Sequence, residues 1–169
     1  MIGKTKYLVL SLALLGTWIN LGCSRERATH VTVGGGETPT FVLSGGGELG
    51  TFTVYLVPLS PEKMEKPIFD EPPVWSIVAQ PDWLHGRPIE KIGKLMYGMA
   101  PSGYSQGHQP QPIIPGRTYF FDCETTDAPI ARGFFRVENM KTVQVDANLP
   151  CLKTRDGKWV TTPCVQNHL

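Results

Sequence analysis

Apolar and polar positions alternate with a period of two in short runs along this chain, and no long stretch repeats at the helical period of 3.6. The clearest runs, Thr118–Glu124 and Arg132–Glu138, flank a loop holding Thr125, Asp127 and Pro129 and predict a β-hairpin. Centring that loop on Ala128 sets Tyr119, Phe121 and Cys123 opposite Val137, Phe135 and Gly133 on an apolar face. The other face then pairs Glu124 with Arg132, Asp122 with Phe134 and Phe120 with Arg136, opposite charges meeting at its loop end. Pro115-Gly116 leads into the hairpin as a turn, because proline fixes one φ and glycine frees the next.

The same period predicts further strands at Thr29–Val33, Thr40–Leu43, Thr51–Val57, Val74–Gln80, Lys94–Tyr97 and Thr142–Asp146. Thr51–Val57 sets Phe52, Val54 and Leu56 on one face, and Val74–Gln80 sets Trp75, Ile77 and Ala79 on one face. Gly34-Gly35-Gly36 and Gly45-Gly46-Gly47 read as turns on either side of Thr40–Leu43. Neither is followed by the Lys-Ser/Thr and helix that a phosphate cradle needs. Ser60-Pro61-Glu62-Lys63 predicts one helical turn ending by Pro67, and Asp82–Gly86 a tight turn. Residues 98–112 are long, polar and without period: a plain connection, or a hydrogen-bonding surface built on Tyr104, Gln106, His108 and Gln109.

Cys151 and Cys164 lie almost symmetrically about the turn signal Asp156-Gly157, which predicts a terminal hairpin closed by a Cys151–Cys164 bridge. In the chain-entropy picture, closing such a loop contributes about 3 kcal/mol. Cys123 is then a buried free thiol, and its pairing with one terminal cysteine is the competing arrangement.

Two resemblances add to this. Ile113-Ile114-Pro115-Gly116-Arg117-Thr118-Tyr119 resembles the apolar-x-Pro-Gly-x-x-Tyr run that opens the penultimate strand of fibronectin type III and related immunoglobulin-like sandwiches. There the tyrosine bonds back to backbone just upstream. Phe121 stands where immunoglobulin domains place a cysteine, so the resemblance implies the disulfide-free kind. Lys4 and Lys6 precede an apolar stretch, Tyr7–Ile19, of 13 residues, too short for an ordinary spanning helix. Asn20-Leu21-Gly22-Cys23 follows, and the whole resembles a bacterial lipoprotein signal in which Cys23 becomes the lipidated first residue. Asn20 departs from that pattern, where an apolar residue is usual, and an uncleaved anchor is the alternative. Ser24 resembles the signal for transfer to the outer membrane.

Together these imply an all-β fold, an immunoglobulin- or fibronectin type III-like β-sandwich with a short disulfide-closed C-terminal hairpin. Residues 1–22 are the signal, 23–38 a tether with the first short strand, 39–146 the sandwich and 147–169 the hairpin and tail. Composition agrees: only 18% of the 169 residues are charged, against 18 glycines and 15 prolines, which suits short strands joined by turns. Without residues 1–22 the chain keeps 14 basic and 15 acidic residues, a net charge of −1, which gives no electrostatic reason to seek nucleic acid.

No residue set carries catalytic spacing. There is no G-x-S-x-G, no H-E-x-x-H, and the histidines at 30, 85, 108 and 168 lie too far apart in sequence for metal-ligand spacing. Neither a catalytic residue, a metal nor a cofactor is expected. The sequence points to an envelope lipoprotein, held in the outer membrane facing the periplasm by lipid on Cys23 and acting as a non-catalytic interaction module for an envelope protein. A small-ligand or carbohydrate-binding domain is the alternative, and an enzyme ranks third. Candidate binding residues are Trp83, Tyr104, His108, Phe120 and Phe134. Phe120 and Phe134 lie on the charged hairpin face, where the terminal hairpin is expected to cover them.

Overall fold

The computed structural model describes residues 27–59, 68–80 and 86–145, with the backbone of Pro150–Arg155 and Lys158–Pro163. Two antiparallel sheets pack together as an all-β sandwich. The smaller sheet has the order β1-β2-β6, from β1 (His30–Gly35), β2 (Pro39–Ser44) and β6 (Lys94–Met96). The larger runs β10-β9-β8-β3-β4-β7. Its strands are β3 (Glu48–Leu56), β4 (Trp75–Ala79), β7 (Tyr104–His108), β8 (Thr118–Thr126), β9 (Ala131–Glu138) and β10 (Lys141–Val145). The two-residue β5 (Arg87–Pro88) pairs with the start of β3 and leads into one helical turn, α1 (Ile89–Ile92), which Gly93 ends at a φ of 62°.

Each layer turns one face inward. Phe41, Leu43 and Leu95 from the small sheet meet Leu49, Phe52, Val54, Trp75, Ile77, Tyr119, Phe121 and Phe135 from the large one. Leu49 and Phe52 both point inward although three residues apart. A register shift between Leu49 and Thr51 makes this so, because a bulge inverts the alternation. Along one side, β10 closes the edge of β1. Gln144 Oε1 accepts from Val33 N–H at 3.2 Å and Thr142 Oγ1 donates to Gly36 O at 2.7 Å.

The 118–138 hairpin keeps its predicted faces but not its register. Tyr119 faces Phe135, Phe121 faces Gly133 and Asp122 faces Arg132, two residues from the alignment centred on Ala128. The loop is recentred on Asp127, which takes a left-handed φ of 63° while Thr125 Oγ1 donates to Ala128 O. A two-residue slip preserves which side chains share a face, so only the partners change. Gly133 gives Phe121 its space, since a Cβ there would lie 2.6 Å from two atoms of the buried ring. Gly133→Ala is expected to cost about 2 kcal/mol by overpacking, read as a lower urea midpoint at unchanged slope.

Tyr119 Oη accepts from Ile114 N–H at 2.8 Å, across the Pro115-Gly116 turn, where Gly116 has a φ of 76°. The chain the sequence reads as patternless, 98–112, contains β7, which pairs with β4. At the C-terminus, β11 (Pro150–Arg155) and β12 (Lys158–Pro163) pair about Asp156-Gly157, and their register sets Thr162 opposite Cys151. The Cys151 side chain and Cys164 lie outside the described residues, and so does the bridge expected between them. Cys123 is free and fully buried in the core. The turns expected at 60–67 and 82–85 also lie outside the described residues.

Candidate functional site

Of the five candidate binding residues, the structure buries three. Tyr104 faces inward, its hydroxyl donating to Leu49 O at 2.6 Å and accepting from Arg87 N–H at 3.0 Å. Those two bonds let a phenol sit in the core, and burial holds its pKa above the ordinary tyrosine value. Phe120 and Phe134 are buried in a second, smaller cluster with Val57, on the outer face of the large sheet. Part of their cover is the 3-10 turn Ile68–Asp70: Phe69 packs against Phe120 with ring centroids 5.6 Å apart and against Tyr55 at 6.0 Å. His108 is exposed, its Nδ1 3.1 Å from the buried Ser76 Oγ. Trp83 and Cys23 lie outside the described residues.

The outer face carries a polar row. His108, Ser76, Thr53, Asp122 and Arg132 are successive cross-strand partners over β7-β4-β3-β8-β9. Three strand spacings separate Asp122 from His108, about 14 Å, so this carboxylate cannot orient that imidazole and the row is not a triad. It instead ends in an ion pair: Arg132 Nε lies 2.7 Å from the buried Asp122 Oδ1, and its guanidinium sits 4.9 Å from the Phe69 ring centroid. Burial, then the charges of Asp122 and Glu124, raise the pKa of the neighbouring Tyr55. Arg132→Ala strands a buried carboxylate and is expected to cost about 3 kcal/mol. Asp122→Asn only lets the half-exposed guanidinium turn to solvent, about 1 kcal/mol. Equal losses in urea unfolding would remove this account.

A different surface gathers at one pole of the sandwich. β2 and β8 begin there and β3, β6 and β9 end there, as the antiparallel registers set within each sheet and the Thr142–Gly36 bond sets between the sheets. Backbone bonds from Val57 N–H to Thr118 O, Gly116 N–H to Val137 O and Tyr97 N–H to Pro39 O tie these ends together. Leu59, Met140 and Met99 stand at this pole with 81, 69 and 60% exposure, more than any other large hydrophobic among the described residues, and Ile114 joins them at 49%. At the same pole lies an open cleft of about 400 Å³, lined by Glu37, Thr38, Pro39, Tyr97, Gly98, Pro110, Gln111, Pro112 and Ile113. Its wall is pinned from behind, because Tyr97 Oη donates its one proton to Gln111 O at 2.7 Å, with Val74 O as the alternative acceptor at 3.1 Å. Burial pushes the Tyr97 phenol up to about 12, so it stays a neutral donor. Sequence reasoning singled out residues 98–112, which supply Gly98, Pro110, Gln111 and Pro112, but not the rest of the cleft, because three separated segments, 37–39, 97–98 and 110–113, line it. Its only local signal was the proline spacing at 110 and 112.

Among the described residues no three of His, Cys, Asp and Glu stand together as a metal site. No protein-family profile, curated protein or solved structure matches the chain.

Proposed function

We propose that this chain is a lipid-anchored envelope lipoprotein whose sandwich is a non-catalytic interaction module. The observation that carries the module reading is the apolar pole: Leu59, Met99 and Met140 expose surface that a stably folded domain gains nothing by showing to water. The sandwich itself is proposed to be of the fibronectin or immunoglobulin kind. The strand runs β1-β2-β6 and β3-β8-β9 parallel the A-B-E and C-F-G orders of those domains, and the Tyr119 bond to Ile114 supports the same reading. The anchor rests on the lipoprotein-like run ending at Cys23, whose acyl chains would contribute about 0.8 kcal/mol per buried methylene. The Cys151–Cys164 bridge is proposed on the same grounds, since the envelope is oxidising.

Two experiments test this. Cys23→Ser is expected to release the processed protein from the membrane fraction; retention after signal cleavage refutes the lipid claim. A photoreactive residue at Met99 or Met140 is expected to crosslink a discrete partner in intact cells, and one at Ile130 on the other pole is not. Crosslinks from Ile130 alone refute the module reading. The cleft favours one second reading, a small-ligand or carbohydrate-binding domain, because its volume falls within the range of ligand sites.

A further inference from the structure

We infer that the cleft at the apolar pole receives an extended peptide segment of a protein partner, one carrying an apolar side chain next to a lysine or arginine. This rests on the interaction-module reading and names the partner's chemistry. The walls formed by Tyr97, Pro110, Pro112 and Ile113 offer ring and aliphatic surface to the apolar side chain. Glu37 is the one charged residue among those lining the cleft, so the complementary group is a cation. Being exposed, that pair contributes orientation more than affinity. Met99, next in sequence to the lining residue Gly98, and Met140, whose carbonyl lies beside Gly36, are unbranched and polarizable, and adapt to whatever flanks the anchor.

Chain length argues against the bilayer as occupant. Gly46 N–H bonds to Arg27 O, so Arg27 lies at the opposite pole. From Cys23 to Arg27 an extended chain reaches about 14 Å. The nine residues of β8 alone separate the poles by about 30 Å. A protein lipidated at Cys23 therefore cannot stand on its apolar pole, and the cleft opens away from the bilayer.

Selection of a random phage-displayed peptide library on the detergent-purified full chain tests this directly. Enrichment of peptides with adjacent apolar and basic residues is expected. An enriched peptide, measured by fluorescence anisotropy, should bind Glu37→Lys about fivefold more weakly. Met99→Asp should weaken it about tenfold, and Ile130→Asp should leave it unchanged. Met99 and Ile130 are both solvent-exposed, and thermal unfolding of each variant checks that the fold is intact. No enrichment, or binding indifferent to Glu37→Lys and Met99→Asp, overturns the inference. So does Met99-dependent binding of the unlipidated Cys23→Ser chain to phosphatidylglycerol vesicles. A second copy as occupant is read by the same preparation: concentration-dependent self-association that an enriched peptide does not displace overturns the inference. Crosslinks from the pole without peptide enrichment would sink this inference alone, whereas absence of pole crosslinks would sink the module reading beneath it.

Discussion

Phe41→Ala is expected to lower the free energy of unfolding by about 4 kcal/mol, a large part of what an ordinary domain has. Phe41 is fully buried and is the side chain through which the small sheet grips the large one. Its ring lies 4.7 Å from Phe52, 6.3 Å from Trp75, 5.8 Å from Phe121 and 5.4 Å from Phe135, centroid to centroid, so it touches β3, β4, β8 and β9 at once. Four elements share the resulting cavity, and none can move in to fill it without losing its own sheet pairing. That places the loss toward the upper part of the range for aromatic truncation. Val42→Ala, the next residue on the same strand but facing solvent, is the matched control and should stay within about 0.5 kcal/mol. Urea unfolding by two probes reads both. A Phe41 loss no larger than that of Val42 would mean that the two sheets do not depend on this contact.

Why some residues were legible in the sequence, and others were not, follows from the range of the interactions involved. A period-two pattern records only which side of a strand faces the core. It therefore located β2, β3, β4, β8 and β9 and chose Tyr119, Phe121, Phe135 and Val137 as inward-facing, all four of which are buried. The pattern could not choose between registers two residues apart, because both bury the same face. The choice fell to the left-handed Asp127 in the loop, and Asp122 rather than Glu124 received Arg132. Strand β7 escaped because Ser105, Gln106, Gly107 and His108 have no apolar alternation. It is held by the buried Tyr104, by Gln106 Nε2 donating to Gly98 O at 2.8 Å, and by Gly107, where a Cβ would lie 2.7 Å from Ser76 Oγ. Phe69 escaped for a related reason. A single aromatic in a proline-rich connection gives no sign that it will fold back over Phe120 and Arg132. The candidate site was least legible of all, since a cleft between turns depends on which ends the topology brings together.

Raising the pH above 9 is expected to destabilise the protein steeply, with Cys123 responsible for the first part of the loss. Its thiol is fully buried between the sheets, and burial, followed by the neighbouring charges of Asp122 and Glu124, pushes its pKa from 9.0 up to about 12. The unfolded chain therefore releases this proton near pH 9 while the folded chain holds it. Between pH 9 and 12 the unfolded state binds fewer protons, so stability falls as pH rises. The contribution is intact below pH 9 and lost progressively toward 12. It reaches about 4 kcal/mol, because a tenfold change in proton affinity between the two states corresponds to about 1.4 kcal/mol. Tyr97, pushed up to about 12 by burial, and Tyr104, raised in the same direction, add a second limb that begins near pH 10. The two limbs separate by substitution. Cys123→Ala should be less stable than the parent at pH 7 because it leaves a small cavity, yet lose less on going from about pH 8.5 to 10. Guanidinium midpoints measured under reducing conditions at closely spaced pH values would show the two curves converging. Parallel curves over that interval would mean that the Cys123 thiolate reaches water in the folded protein, which a thiol between two packed sheets should not.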